Sequence, residues 1–393
     1  MRWAAAVSSQ ASTSEALAEL AQAIEAQLDG ARPDLLLAFV SQEYDDQCEQ
    51  IPQLVAAQLN PRVFIGCTGV GIIGGGREVE DKPALALIAA TLPGVEISGF
   101  HLSDDDLPDL DAGPQAWIEA LGVAADQPTH FVLLADPVGP PGFDAQPLLM
   151  GLDFAYGSGT KIGGNASVIA GNWLFLDGVA HRFGAVGVAL QGNLEIDTVV
   201  AQGCRAIGKP MRITDCHEHY LLEVDGRPVI DVLVELYRSM AAEEQELMRY
   251  LQLGLASTEL QAAFEPGDFL IRSVVQIDQE KGYIAVAGRL REGQTVQFHV
   301  RDAETAAEDL AALLARYQRR PQTRAPAGAL LFTCTGRGQG LYGRSDHDSD
   351  LFAEAVGPMP LAGFFCGGEI GPVGDSTYIH GYTSAFGIFR PVD

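Results

Sequence analysis

Apolar and polar positions follow a pattern that occurs three times along the chain. Continuous apolar runs, typical of buried strands, lie at Leu35–Ser41, Phe131–Ala135 and Ala329–Thr333. Each run precedes a stretch with helical spacing, a short second strand that ends in small residues, and a third apolar strand. The pattern therefore predicts three internal βαββ repeats, at residues 35–92, 131–190 and 329–389.

The second strand of each repeat runs into a turn of small residues. These turns are Gly66-Cys67, Gly163-Gly164 and Cys366-Gly367. If the repeats are related by pseudo-symmetry, the three turns converge on one cleft, which is where ligand sites commonly form.

The alternation of strands and helices predicts an α/β fold with α+β character, in which helices cover mixed β-sheets. We expect two joined halves. The second half contains an insertion at about 193–327 with its own strands and helices. A Pro- and Ala-rich linker then leads into the third repeat, residues 328–393.

The composition argues against two classes of partner, nucleic acids and membranes. The chain has 393 residues, 25 Lys and Arg against 52 Asp and Glu, and a formal net charge of −27. Such a chain is repelled by phosphate backbones and anionic lipid, so we expect neither a nucleic-acid nor a membrane partner. The N-terminal apolar run is too short for a signal peptide, and no run reaches the roughly 18 residues of a membrane span. Six scattered cysteines favour reduced thiols in a cytoplasmic protein.

The glycine-rich segment Ile65–Glu78 contains a formal GxGxxG match. A dinucleotide site also needs a helix directly afterwards, and the sequence that follows is charged and glycine-rich. We therefore interpret the segment as a turn with positive φ angles, where backbone amides also approach a ligand. Cys67, Thr68 and Glu78 supply polar groups there.

A second glycine-rich segment, Thr333–Asp350, carries Arg337 and then His347 between acidic residues. A helix start explains the acids, because they complement the helix dipole. It does not explain the arginine, which on a glycine loop is a suitable clamp for a carboxylate or phosphate. In a third segment, Gly363–Gly374, Glu369 is equally consistent with a solvated turn residue and a ligand contact.

Metal and catalytic motifs are weak. Asp215–Tyr220 (DCHEHY) offers two histidines without a third ligand at a recognisable spacing, so we predict no metal site. There is no GxSxG elbow and no paired Cys/His signature, so we assign no catalytic residue. An enzyme that uses a loop cysteine stays as a third alternative for function.

Long motifs at Val63–Asp81, Gln202–Thr214 and Leu330–Phe389, the last including GRSDHD and LAGFFCGGEIGPVG, resemble the FIST family. The resemblance implies an N-terminal domain over residues 1–192 and a C-terminal domain over residues 193–393. FIST domains are sensory domains of F-box and intracellular signal transduction proteins. The resemblance implies a small-ligand-binding sensor, with amino acids or their derivatives as ligands, that acts through a separate signalling output protein.

The resemblance leaves a second function open, because some stand-alone relatives resemble haem-binding nitric-oxide sensors. Such a sensor would act with a histidine kinase or a cyclic-dinucleotide enzyme. We predict no cofactor and keep haem as an alternative, since no sequence rule marks a histidine here as an iron ligand.

The repeats and the resemblance together give one hypothesis for the ligand site. We expect Arg337 to hold an anionic group and Glu369 an amino group, as a zwitterion requires. The residues expected to line or flank the site are Cys67, Thr68, Gly69, Glu78, Asn165, Arg337, Asp346, His347, Cys366, Glu369 and His380.

Overall fold

The computed structural model describes residues 1–256, 264, 268–321 and 324–392. The chain divides into two compact units: a first unit, residues 1–200 and 313 onward, and an inserted unit, Ala201–Ala312. The inserted unit lies within the insertion predicted from the sequence. The predicted domain boundary at residue 192 stays a prediction, and residues 322–323 of the predicted linker lie outside the described residues.

Helices of both units follow the amphipathic segments of the sequence. The first, Thr13–Gln27, shows why: Ser12 caps it by accepting a hydrogen bond from the Glu15 amide at 3.3 Å, and its apolar face is buried. The α-helices are α1 (Thr13–Gln27), α2 (Ile51–Gln58), α3 (Pro114–Leu121), α4 (Ala145–Ala155), α5 (Val229–Ser239), α6 (Ala242–Gln245), α7 (Ala303–Arg319), α8 (Gly338–Tyr342) and α9 (His347–Val356). Short 3-10 helices lie at Gln42–Gln50, Asp104–Asp106 and Glu246–Tyr250.

Strands make up most of the remaining regular structure. Those before the insertion are β1 (Arg2–Ser8), β2 (Leu35–Ser41), β3 (Val63–Gly69), β4 (Gly71–Gly74), β5 (Arg77–Glu80), β6 (Leu85–Thr91), β7 (Val95–Leu102), β8 (Thr129–Ala135), β9 (Lys161–Asn165), β10 (Leu174–Leu176), β11 (Val179–His181), β12 (Ala185–Gly192) and β13 (Glu195–Ala201). The later strands are β14 (Arg205–His217), β15 (Tyr220–Val224), β16 (Arg227–Pro228), β17 (Gln252–Ala256), β18 (Phe269–Asp278), β19 (Tyr283–Val286), β20 (Thr295–Val300), β21 (Gly328–Cys334), β22 (Leu361–Cys366), β23 (Glu369–Val373), β24 (Ser376–His380) and β25 (Ser384–Arg390).

The first unit contains three six-stranded sheets that exchange strands cyclically. Their orders are β1-β6-β2-β3-β10-β11, β7-β12-β8-β9-β23-β24 and β13-β25-β21-β22-β4-β5. In each sheet one repeat supplies a central parallel pair and a neighbouring antiparallel strand. The hairpin at one edge and the single strand at the other come from elsewhere in the chain. The predicted α/β fold and internal repetition are confirmed, with the added feature that no repeat completes its own sheet.

The inner faces of the three sheets share one apolar core. Phe39 of the first repeat stacks on Phe364 of the third at 5.4 Å between ring centroids and meets Phe332 edge-on at 6.4 Å. Val132 of the second repeat belongs to the same fully buried cluster. Because all three repeats contribute to this core, burial of apolar surface stabilises them together.

One glycine in each repeat marks the same position in the sheet. A Cβ atom at Gly66, Gly163 or Gly363 would lie 2.4, 1.9 or 1.7 Å from a carbonyl oxygen of the paired strand. The strand pairing therefore makes Gly363 the equivalent of Gly66 and Gly163. The predicted equivalent, the Cys366-Gly367 turn, lies further along the chain. The small residues in the repeat thus serve close backbone packing.

The inserted unit is a seven-stranded antiparallel sheet, β14-β20-β17-β18-β19-β15-β16, with α5 packed on β15. Its core is separate and includes Ile213, Leu253 and Phe298. His217 ends β14, and the hairpin turn to β15 carries His219. Within the described ranges, no group of three or more His, Cys, Asp or Glu side chains is arranged to hold a metal ion. No helix in the described part of the chain has both the length and the apolar character needed to cross a bilayer.

Candidate functional site

A buried ion pair stands at the end of the third repeat's first strand. Arg337 follows β21, is 1% exposed, and donates to both carboxylate oxygens of Asp348 in α9, at 2.8 and 3.1 Å. The two parallel bonds have the fork geometry that favours arginine over lysine. Arg337 also lies 3.4 Å from the Tyr382 carbonyl oxygen, to which it donates.

Hydroxyl groups complete the surroundings of Asp348. Ser384 and Thr333 donate to its Oδ2 at 2.6 and 3.1 Å. Burial alone would raise the pKa of Asp348, but the Arg337 charge and the hydrogen bonds lower it to below its usual range. Asp348 is therefore ionised at all physiological pH values.

His347 connects this ion pair to the surface. Its Nδ1 lies 2.9 Å from Asp348 Oδ1, and its ring stacks on Tyr342 at 3.4 Å between centroids. The side chain is 10% exposed, and Nε2 makes no hydrogen bond to any residue the structure describes. One ring nitrogen is thus fixed from inside, and the other is open to an external partner.

The exchanged hairpin β4–β5 brings acidic residues from the first repeat to the same place. Glu78 accepts a hydrogen bond from the Ser349 amide at 2.7 Å, in the first turn of α9. Asp346 accepts from the Glu78 amide at 2.6 Å and pairs with Arg77 at 2.9 Å. Carboxylates at a helix N-terminus are stabilised by its free amides and dipole. We call Arg337, Asp348, His347, Glu78 and Asp346 the Arg337 cluster.

Glu78 has a perturbed acidity. Burial first, and then the neighbouring Asp348 charge, raise its pKa to about 7, although the Ser349 amide opposes the change. A proton is therefore gained or lost in the cluster near neutral pH. Arg344, from the same glycine-rich segment as Arg337, instead forms a surface pair with Asp350 at 2.6 Å.

Glu369 and His380 lie in a second part of the predicted site. Glu369, fully buried at the start of β23, accepts from the Thr383 amide at 3.0 Å. It pairs in register with His380, whose Nε2 lies 3.0 Å from the Gly371 carbonyl oxygen. Because Tyr382 and Ser384 contact Arg337 and Asp348, one short segment connects Glu369 to the Arg337 cluster.

Cys67 and Cys366 are packed near the meeting point of the three sheets. Both are 0% exposed. Burial raises the pKa of each thiol well above its usual value, and the nearby Asp136 and Glu369 charges respectively act in the same direction. Gly164 leaves room for the Cys366 sulfur, because a Cβ there would be 2.3 Å from it. The second repeat thus contacts the third at Gly164 and Cys366, and tightly packed backbone and thiols fill this region.

Thr68 belongs to a third polar group, with Asn172 and Asp136. Thr68 lies 3.4 Å from Asn172 Oδ1, to which it donates, and Asn172 donates to Asp136 at 2.8 Å. Asn165 is 8% exposed and joins the neighbouring repeat through its backbone, which bonds to that of Gly368 at 2.8 Å.

Gly69 has a packing role in the structure. A Cβ atom on it would lie 2.9 Å from the ring of Phe364. The predicted ligand role of Gly69, like those of the other predicted site residues, stays a prediction.

Sequence patterns do not mark several residues of these networks. A helix start is sufficient to explain Asp348, and no motif includes Ser384, Tyr342, Asp136 or Asn172. A polar residue ending an apolar strand, as Asp136 does, is a usable signal. The contact of Tyr342 with His347 depends on the geometry of a short turn and has no sequence signature.

The chain matches the FIST N domain over residues 34–227 and the FIST C domain over residues 230–372. It belongs to the FIST family, whose domains are sensory domains of signal transduction.

Two of the relatives align with nearly the whole chain. An uncharacterized protein of Mycobacterium tuberculosis is 36% identical, over 99% of this chain and 100% of that protein. An uncharacterized protein of Mycobacterium bovis is 33% identical, over 95% of each. An F-box/LRR-repeat protein of Arabidopsis thaliana is 23% identical over 38% of this chain and 28% of its own length. Among solved structures, cyanuric acid hydrolase from A. caulinodans covers 99% of each chain with a TM-score of 0.37 and 10% identity, a likeness that carries no conclusion.

Proposed function

We propose that this protein senses a small polar molecule, an amino acid or a derivative, that binds at the solvent edge of the Arg337 cluster. The observation that carries the proposal is His347, whose Nδ1 is held by Asp348 while Nε2 has no partner in the described chain. Such a side chain is preorganised for a ligand, because its tautomer and orientation are fixed before binding.

The energetics of the cluster support a functional role. A buried ion pair contributes little net stability compared with apolar residues of the same size. The additional buried acid, Glu78, has a pKa shifted into the neutral range, and such groups are concentrated at functional sites. The cluster is therefore better explained by a ligand than by folding alone.

Access requires movement of residues 336–343. In this segment Gly336, Gly340 and Gly343 are exposed, whereas Arg337 is buried. Movement of this segment lets a ligand carboxylate reach Arg337. It also lets a hydrogen-bond donor of the ligand reach Nε2 of His347, which is the acceptor nitrogen of the neutral ring when Nδ1 donates to Asp348. Contact of an amino group with Glu369, the second half of the zwitterion hypothesis, also needs movement of residues 382–384. The bound state is then read by a separate signalling protein.

A binding experiment tests the proposal. We expect thermal-shift assays with the twenty amino acids to reveal a stabilising ligand, because a molecule that binds only the folded state raises the melting temperature. Calorimetry should then show a loss of about tenfold or more in affinity for His347→Ala. The matched control is His217→Ala, an exposed histidine of the inserted unit. Equal affinity in the His347 variant and wild type would remove the Arg337 cluster as the site.

Haem is the second candidate. His347 has the internal hydrogen bond expected of a ligating histidine, and its Nε2 has no partner in the described chain. His380 is buried, with Nε2 on a carbonyl oxygen. An absorption spectrum of the purified protein tests this alternative through the Soret band.

Cysteine-based catalysis, the third candidate, is poorly supported. A thiol acts as a nucleophile in its ionised form. Because burial raises the pKa of Cys67 and Cys366 well above the usual value, both are protonated at neutral pH.

A further inference from the structure

A second candidate ligand site lies wholly inside the inserted unit. A pocket of about 500 Å³ opens between β14, the β15–β16 turn and α5. This volume falls within the range of roughly 300–1,000 Å³ that is typical of small-molecule sites. The residues of the Arg337 cluster take no part in its lining.

The floor of this pocket is apolar. Ile207, Met211 and Val224 form it and are themselves buried in the core of the unit. Val232 and Leu236 of α5 form one wall and are only half-buried. An apolar guest would therefore cover surface that now faces water, which favours binding.

The rim carries charges of both signs. Lys209 lies 3.6 Å from Asp225, and Arg227 donates to Glu235 at 2.6 Å. Lys209 is 81% exposed and the Glu235 side chain 62%. Exposed pairs of this kind contribute little to stability, so a ligand can replace either partner at little cost.

A bulge in β14 places Lys209 at the rim. Ile207 pairs with Phe298 and Met211 with Val296, so three residues on β14 face one on β20. Gly208 has a φ of +68°, and a Cβ on it would approach Leu236 to 3.1 Å. Bulges of this kind redirect side chains next to binding sites. This segment also belongs to the motif Gln202–Thr214, which the repeats and the Arg337 cluster leave unused.

We propose that this pocket binds a zwitterionic molecule with an apolar body, of the size of one or two amino-acid residues. A simple anion attracted by Lys209 and Arg227 would be repelled by the nearby carboxylates. A simple cation attracted by Asp225 and Glu235 would be repelled by the nearby basic side chains. A dipolar molecule satisfies both signs of charge, while its apolar body covers Val232 and Leu236. The site is additional to the proposed function and can hold or fail independently of it.

Calorimetry with a matched set of ligands tests the ligand class. The probes are L-leucine, the dipeptide Leu-Leu, 4-methylvalerate, isoamylamine and glycine. Leucine or Leu-Leu should bind at least about tenfold more tightly than the two singly charged analogues and glycine. Equal binding of leucine, 4-methylvalerate and isoamylamine, or no binding of any probe, would overturn the proposal.

Paired variants locate the binding. Arg227→Gln should weaken binding of the zwitterion about tenfold, whereas Arg238→Gln, on α5 but outside the pocket lining, should leave it unchanged. His347→Ala should also leave it unchanged, which separates this site from the Arg337 cluster. Loss of binding in His347→Ala with full binding in Arg227→Gln would contradict the proposal and favour the cluster instead.

Discussion

Asp348 is the residue on which the buried polar network depends. Four side chains bond to its two oxygens: those of Arg337, His347, Thr333 and Ser384. Neutralising it would leave a buried guanidinium without a counter-charge. That condition is much more costly than the loss of a surface pair.

We predict that Asp348→Asn lowers the free energy of unfolding by about 3–5 kcal/mol. The control is Asp350→Asn, which removes a pair with Arg344 whose side chains are 49% and 48% exposed and should cost less than about 1 kcal/mol. Urea denaturation of both variants measures the difference. Similar costs in the two variants would show that the buried pair is not fixed by its surroundings.

Glu78 gives a prediction about pH. Its pKa is about 7 in the folded state against 4.5 as the ordinary value, so between these pH values the folded protein holds a proton that the unfolded chain has released. Stability therefore falls as pH rises through this window, by up to about 3 kcal/mol.

Glu78→Gln should flatten this part of the pH profile, since an amide oxygen still accepts from the Ser349 amide but does not titrate. Unfolding free energies at about pH 5 and about pH 8 measure the effect. Glu25→Gln, at an exposed position of α1, is the control and should keep the wild-type slope. An unchanged slope in the Glu78 variant would assign the pH dependence to other groups.

At the scale of elements, the parallel strand pairs depend on glycine. Gly363 in β22 faces Leu331 of β21, and a Cβ would stand 1.7 Å from the carbonyl oxygen of that residue. Both strands are held by backbone hydrogen bonds, so neither can move away without losing some of these bonds.

We predict that Gly363→Ala destabilises the protein by at least about 1–3 kcal/mol, the usual cost of overpacking. Gly340→Ala is the control, because nothing lies within 4 Å of its added Cβ and the residue is in the exposed helix α8. That variant should be neutral or slightly stabilising. Thermal denaturation compares the two, and equal melting temperatures would contradict the prediction.

The elements that sequence patterns capture are the ones with local causes. The continuous apolar runs predicted β2, β8 and β21. The hairpins β4–β5 and β23–β24 and the strand β1 were missed, because their pairing partners are far away in the sequence. Periodicity records burial and not which strand lies alongside, so the exchange between sheets has no local signal.

The candidate site shows the same limit at the level of side chains. Arg337 and His347 are candidates from the sequence because a helix start does not explain them. Their partner Asp348 is not a candidate, since an acid at a helix start needs no other explanation. The glycine-rich segment marks Glu78 as a candidate, whereas its contact with α9 depends on hairpin exchange, which has no local sequence signal.

At the scale of the whole molecule, the exchanged strands make the three repeats one cooperative structure. Trp3 in β1 packs on Phe389 at 4.5 Å between rings, and a Cβ at Gly328 would touch its indole. Trp117 and Trp173 lie in other parts of the first unit. All three tryptophans of the chain are thus reporters of this unit.

We predict that Trp3→Ala costs about 3–5 kcal/mol and shifts the unfolding of the whole first unit. The fluorescence of Trp117 and Trp173 should change in one transition, at a lower denaturant concentration than in wild type. Trp3→Phe, which keeps the aromatic contact, should cost less. Two separate fluorescence transitions would show that the repeats unfold independently.

The cyclic exchange has a consequence for synthesis on the ribosome. Hairpin β4–β5 leaves the ribosome early, but the strand it must join, β22, is made almost 300 residues later. Until then the nascent polypeptide exposes unpaired strand edges, which are prone to aggregation. Production of this protein should therefore depend on chaperones that shield the early segments, and slower translation near the carboxyl end would prolong that need.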